Sequence, residues 1–174
     1  MKYVVTMLIC FMFSLKVYAQ EKRKADMYLT AMDQKEKFIG EVLFLDTPKG
    51  LLIKVDLKNL PQGQHGFHVH EFPNCLSKLD ADGKHQPASL AGGHYDPYNT
   101  GKHLGPNGGG HLGDLPFLSV SKDGKVRTQF YLKDIKTNDF NNRSLMIHAG
   151  GDNYQDQPLP LGGGGIRIAC GIIQ

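Results

Sequence analysis

The order His68-Val69-His70, then His94, His103, His111, Asp114 and His148 sets the tightest condition on what this chain can fold into. Six imidazoles and one carboxylate come from several separated segments, with glycine and proline packed between them. Imidazole is the commonest side-chain metal ligand, and carboxylate is a frequent companion. So many candidate ligands suffice for two metal ions rather than one. The chain reads first as a metalloprotein.

The segments around these residues look like strands. Apolar or alternating runs cover Met27 to Met32, Phe38 to Leu45, Leu51 to Leu57, Gly66 to His70, Leu115 to Val120, Val126 to Leu132, Leu145 to His148 and Ile166 to Ile173. Leu52, Lys54 and Asp56 alternate with Ile53, Val55 and Leu57, the period of a half-buried antiparallel strand. Pro48-Lys49-Gly50 and Asp123-Gly124 are turn signals. Short strands at regular spacing, with no convincing amphipathic helix, predict a β-sandwich or barrel. Two stretches break the pattern, Glu71 to Asp114 and Ala149 to Gly165, and both are rich in glycine and proline. Long loops in a compact domain are usually functional, and the candidate ligands lie in them or at their borders.

The N-terminus reads as an export signal. Lys2 precedes an apolar run from Val4 to Leu15, and Val17-Tyr18-Ala19 offers small residues at the usual cleavage offsets. Cleavage after Ala19 leaves 155 of the 174 residues, one domain's worth of chain, with a retained anchor as the alternative. Glu21 to Lys24 then reads as a short mobile N-terminus. The formal charge of +3 includes Lys2 and Lys16, so the mature domain sits near +1 and offers no basic, aromatic-interleaved patch for nucleic acid. Cys10 leaves with the signal, and the two thiols that remain, Cys75 and Cys170, most simply form one disulfide in an exported chain.

His68 and His70, two apart on a strand, project from one face while Phe67 and Val69 point to the other. His148 ends another strand and can supply a third nitrogen. Nitrogen-only ligation with an open position suits copper, although zinc, nickel and iron also accept imidazole. His94, His103, His111 and Asp114 offer three nitrogens and one oxygen, enough to fill a structural tetrahedral zinc site. Asp114 also has a reading as a turn residue after Gly113.

Four motifs stand in order: Gly66-Phe67-His68-Val69-His70-Glu71, Ala91-Gly92-Gly93-His94-Tyr95-Asp96-Pro97, Gly110-His111-Leu112-Gly113-Asp114-Leu115-Pro116, and the run from Gly162 to Gly171 that contains Arg167 and Cys170. From about Gly40 to the C-terminus the chain resembles the copper/zinc superoxide dismutases, closest to the bacterial exported (periplasmic) branch. The resemblance implies a Greek-key sandwich or flattened barrel of about eight antiparallel strands with two long functional loops. It implies copper on His68, His70, His94 and His148, and zinc on His94, His103, His111 and Asp114, with His94 shared between them. It also implies a Cys75–Cys170 disulfide, Arg167 as the anion-docking arginine, and Asp152 as a carboxylate bridging His68 and His103. The implied substrate is superoxide.

Two other functions compete with that reading. One is a copper or zinc binding protein on the same scaffold without turnover. The other is zinc hydrolysis, which the filled zinc set disfavours. Arg167 also has a structural reading, bonding loop carbonyls. Lys78, Lys84 and Lys102 read as solvated surface lysines, with electrostatic steering of the substrate as the alternative. Gly162 to Gly165 lacks the residues of a phosphate loop and reads as a close-approach turn. His65 and His85 belong to neither ligand set and read as solvated. Asn142-Arg143-Ser144 is a formal glycosylation sequon. Nothing in the sequence distinguishes monomer from homodimer.

Overall fold

A computed structural model describes residues 21–30 and 37–174. The segment read as an export signal, with its Cys10, and Met32 lie outside the described residues. The strands are β1 (Lys22–Leu29), β2 (Lys37–Thr47), β3 (Gly50–Leu57), β4 (Gly63–His65), β5 (Phe67–His70), β6 (Lys78–Leu79), β7 (His85–Gln86), β8 (Leu118–Val120), β9 (Val126–Leu132), β10 (Ser144–His148) and β11 (Arg167–Ile172). Seven of them form one antiparallel sheet in the order β5-β10-β11-β1-β2-β3-β9. After the β1-β2-β3 meander the chain crosses to the far edge, where β5 pairs with β10, and β9 returns beside β3.

The sheet curls so that its two edge strands face each other across the core. Phe67 on β5 and Phe130 on β9 belong to opposite edge strands, yet their ring centroids lie 6.3 Å apart in an edge-to-face contact. Ala25, Met27, Val42, Phe44, Ile53, Val55, Val69 and Ile147 fill the interior. The alternation on β3 holds from Ile53 onward, with Ile53, Val55 and Leu57 buried and Lys54 and Asp56 exposed, while Leu52 on the second face is buried as well. Pro48 and Lys49 form the turn between paired Thr47 and Gly50.

The predicted count of eight strands also survives. β4 and β5 are separated only by Gly66 and act as one interrupted strand, pairing with β8 on one stretch and β10 on the other. With the two-residue β6–β7 pair set aside as part of the first long loop, eight remain.

Three expectations need correction. Glu21 to Lys24 is not a loose tail, because β1 starts at Lys22. Lys24 exchanges backbone hydrogen bonds with Gln174, and Asp46 N–H donates to the Glu21 carbonyl. The lysines simply point to solvent while their backbone pairs on both sides. Leu115 to Phe117 stays outside β8, since Pro116 has no N–H to donate. β11 begins at Arg167 rather than at Ile166.

Candidate metal centre

His68 and His70 stand on the face of β5 opposite Phe67 and Val69, and all four are buried. The first long loop returns along the free edge of β5. Val69 N–H donates to the Gly113 carbonyl, Tyr95 N–H to the Val69 carbonyl, and Gly113 N–H to the Tyr95 carbonyl, each at 2.9 Å. Position 113 has to be glycine, because a β-carbon there would sit 2.2 Å from the Val69 oxygen. These bonds bring His94 opposite His70 and Asp114 opposite His68. His148, at the end of β10, completes the cluster from the other side of β5.

Two donor sets result. One ligand atom from each of His68, His70, His94 and His148 lies within 4.8 Å of the others. His68 Nε2 bonds Asp152 Oδ2 at 2.7 Å, His70 Nδ1 donates to the Gly92 carbonyl at 3.0 Å, and His148 Nδ1 donates to the Gly165 carbonyl at 3.0 Å. Each second nitrogen is thereby left as a lone pair facing the cluster. His70 Nε2 and His148 Nε2 are 3.4 Å apart, while His68 Nδ1 and His94 Nε2 are buried with no hydrogen-bond partner among the described residues.

The second set gathers around Asp114. His94 Nδ1 and His103 Nδ1 lie 3.0 and 2.9 Å from its two oxygens, and His111 Nδ1 lies 3.4 Å from Oδ1. His103 Nδ1, His111 Nδ1 and Asp114 Oδ2 are close to one another yet make no aligned hydrogen bond. Groups aimed past one another in this way converge on a common point. By proximity alone the tightest four are His68, His94, His103 and Asp114. His68 Nε2 is taken by Asp152 and its free Nδ1 faces the first set, which leaves His111, its Nδ1 3.4 Å from Asp114 Oδ1, as the candidate fourth donor. His94 faces both sets, with Nδ1 toward Asp114 and Nε2 toward the other histidines.

Asp152 bridges the sets, its Oδ1 accepting from His103 Nε2 at 2.7 Å while Oδ2 accepts from His68. Gly162 lies against this bridge, and a β-carbon there would sit 2.0 Å from Asp152 Oδ1. The close-approach reading of the four-glycine run is thus correct.

Burial dominates the protonation of the first set. It pushes His68 down to about 3 and His148 to about 4, and holds His70 well below the ordinary imidazole value. His94 is lowered for the same reason. His103 goes the other way, because the hydrogen bond to Asp152 and the nearby Asp114 carboxylate outweigh its burial and raise it to about 9. Burial also opposes ionisation of those two carboxylates, but their histidine partners hold both well below the usual carboxylate range.

Arg167 begins β11 and donates from Nη1 to the Ala88 carbonyl at 2.7 Å and from Nη2 to the Gly92 carbonyl at 2.6 Å. Its structural role is therefore real. Because Gly92 O also accepts from His70 Nδ1, the guanidinium stands one carbonyl away from the first donor set. Cys75 and Cys170 form the expected disulfide, tying the first loop to β11. Lys78, Lys84, Lys102 and His85 are exposed.

His65 corrects an expectation. It is buried rather than solvated, with Nδ1 at 2.8 Å from the His148 carbonyl and Nε2 at 2.9 Å from the Pro61 carbonyl. Its three-residue offset from His68 in sequence gives no sign of this. Other supports were also invisible to motif reading. Arg143 lies over the Tyr95 ring at 4.2 Å and donates to the Glu71 carbonyl, and Glu71 in turn accepts from Gly93 N–H. Asp156 accepts from His103 N–H at 3.0 Å.

Fold and site together define a curled antiparallel β-sheet of sandwich or barrel type with two adjacent histidine-rich donor sets that meet at His94. The family model for copper/zinc superoxide dismutase (SODC) matches residues 38–173. The chain belongs to that family. It is 53% identical over 139 residues to "Superoxide dismutase [Cu-Zn]" of Brucella abortus biovar 1 (strain 9-941), covering 79% of this chain and 80% of the relative. It is 49% identical over 152 residues to the protein of that name from Escherichia coli (strain K12), covering 87% of each. Among solved structures, the Cu/Zn superoxide dismutase from Brucella abortus superposes with a TM-score of 0.83 at 50% identity, over 88% of this chain and 100% of that one. The monomeric copper, zinc superoxide dismutase from Salmonella enterica gives 0.74 at 46% identity, over 88% and 100%.

The protein is thus an oxidoreductase with copper and zinc as cofactors and superoxide as substrate. Its residues fit both metals. One set is all nitrogen, with His68 Nδ1 and His94 Nε2 buried and unpartnered among the described residues, and the other is three nitrogens and a carboxylate.

Proposed function

We propose that the chain is an exported enzyme whose leader, residues 1–19, is removed to leave a 20–174 domain that disproportionates superoxide outside the cytoplasm. His68, His70, His94 and His148 would hold copper, and His94, His103, His111 and Asp114 would hold zinc. The observation that carries this assignment is the placement of His94, one ring nitrogen facing each donor set. Copper, when bound, supplies the one-electron couple that the reaction needs, and zinc supplies fixed charge and structure.

The chain's own groups do the rest. Two superoxide anions and two protons yield one oxygen and one hydrogen peroxide. His94 Nε2 takes up a proton in the first half-reaction and gives it to the peroxide in the second, the other proton coming from solvent. Arg167, always charged and held by two carbonyls, orients the anion beside His70. Asp152 keeps His68 and His103 in the tautomers that leave Nδ1 free on each.

Purified mature protein assayed for superoxide removal, with copper and zinc counted per chain, tests the assignment. One of each with fast turnover is the expected result. Full copper occupancy without turnover would favour a metal-binding role. The mass of the exported protein, with Gln20 at its start, tests the cleavage site, and its sedimentation decides between monomer and homodimer.

A further inference from the structure

Tyr154 touches three segments that converge on the second donor set. Its hydroxyl accepts a hydrogen bond from Phe117 N–H at 3.1 Å, three residues beyond Asp114, and the two rings stack with centroids 5.8 Å apart. The ring also meets Gly105, two residues beyond His103. A β-carbon on Gly105 would sit 2.6 Å from Tyr154 Cγ, so backbone and ring are in direct contact there. Finally, Tyr154 N–H donates to Asp152 Oδ1 at 2.8 Å, the oxygen that also accepts from His103 Nε2.

The backbone at Tyr154 is held in the left-handed region, at φ 58°, which a residue with a β-carbon disfavours. Such a conformation persists only where surrounding contacts over-determine it. Here those contacts are the ring against Gly105 and Phe117, and they hold Tyr154 where its amide closes a turn onto Asp152 two residues back.

We propose that Tyr154 is a positioning residue for the metal centre: its seated ring fixes the turn that presents the Asp152 carboxylate to His68 and His103. One ring thereby sets the spacing between the chain near His103, the chain near Asp114 and the loop that carries their shared hydrogen-bond partner. Removing the ring leaves every donor atom in place but frees the turn, so Asp152 no longer selects the imidazole tautomers. This inference rests on the reading of Asp152 as the orienting carboxylate.

The test uses the full mature chain and its Y154A and Y154F variants, with zinc ions titrated against a chelator and the copper(II) electron paramagnetic resonance spectrum recorded. Y154A is expected to lose zinc affinity by about 10- to 100-fold, the range for a lost ligand-orienting partner, and to shift the copper spectrum through His68. Y154F keeps the ring and is expected to restore the parent spectrum, with zinc affinity close to the parent's. A folded, disulfide-bonded Y154A that matches the parent in both measurements overturns the proposal, as does a Y154F as defective as Y154A. If Y154A does not fold, Y154L is measured for the same zinc loss, and parent-like affinity in it is equally fatal. A parent chain that takes up no zinc sinks the metal assignment itself, whereas a loaded parent with unaffected variants sinks only the role of Tyr154.

Discussion

Asp152 Oδ2 accepts a hydrogen bond from His68 Nε2 at 2.7 Å, and neither side chain exposes any surface. With both oxygens engaged, the carboxylate links the two donor sets, as His94 does. Asp152→Asn keeps the shape but offers only one acceptor oxygen, so its amide hydrogens confront the N–H of His68 or of His103. Zinc affinity is expected to fall by roughly 10- to 100-fold, read by chelator competition, with the fold unchanged by circular dichroism. Unaltered affinity would mean that the ligand tautomers are fixed elsewhere.

The two donor sets differ in their readiness for metal as pH changes. In the metal-free chain His68 and His148 stay neutral down to about 3 and 4, so above that range protons do not compete for them. His103 is raised to about 9 and carries a proton at neutral pH, which zinc has to displace. Zinc affinity is therefore expected to rise with pH, by up to about tenfold per unit until pH 9, while copper affinity stays nearly flat. Isothermal titration at several pH values reads both slopes, and parallel slopes would contradict the assignment.

The same shifts bear on stability without metal. The folded-state value of His103 is raised, so its contribution is complete below the ordinary imidazole value of 6.5 and is lost as pH rises toward 9. His68 and His148 are depressed, so the unfolded chain binds protons that the folded chain refuses as pH falls from 6.5 toward 4 and 3. Metal-free stability is expected to peak near 6.5 and to decline on both sides, as melting temperatures across a pH series would register.

Local pattern carried much of the fold. The alternation of Ile53, Val55 and Leu57 marked β3, the run from Val126 to Leu132 matched β9 end to end, and His68-Val69-His70 read as one face of a strand. These features depend on the strand's own period, which neighbours do not alter. What remained hidden depends on contacts distant in sequence. Lys22 and Lys24 look like a charged tail until Leu45, Leu43 and Gln174 supply backbone partners. His65 looks like a surface residue until the His148 carbonyl arrives 83 positions later. The need for glycine at 113 exists only because Val69 and Tyr95 lie beneath it. For the ligands, residue types and spacing supported two donor sets, and the shared role of His94 came from family resemblance alone.

The disulfide between Cys75 and Cys170 closes a span of 95 residues and anchors the first metal loop to β11. Around it lie Ala88, Ala91 and Met146, a small buried cluster separate from the main core. Paired Cys75→Ser and Cys170→Ser substitutions remove the loop constraint and are expected to lower stability by roughly 4–5 kcal/mol in the chain-entropy model. Urea unfolding of the metal-free parent and double variant measures this. A loss below about 1 kcal/mol would show that the unfolded chain is already compact or that the bridge strains the native loop.

Arg167 supports the loop at a carbonyl it shares with His70, next to the first donor set. Both of its terminal nitrogens donate to loop carbonyls, and one of those carbonyls also fixes His70. Arg167→Lys keeps the charge but cannot reach two carbonyls with one fork. It is expected to retain the salt-sensitive part of the rate while losing orientation of the anion. Arg167→Gln loses both, and its kcat/KM should fall by about 10- to 100-fold, the equivalent of a charge-assisted hydrogen bond. Pulse-radiolysis rates at several ionic strengths separate the two effects. If the parent and the lysine variant slow alike with salt while the glutamine variant does not, the charge acts on the anion; equal slopes in all three would assign Arg167 to loop structure alone.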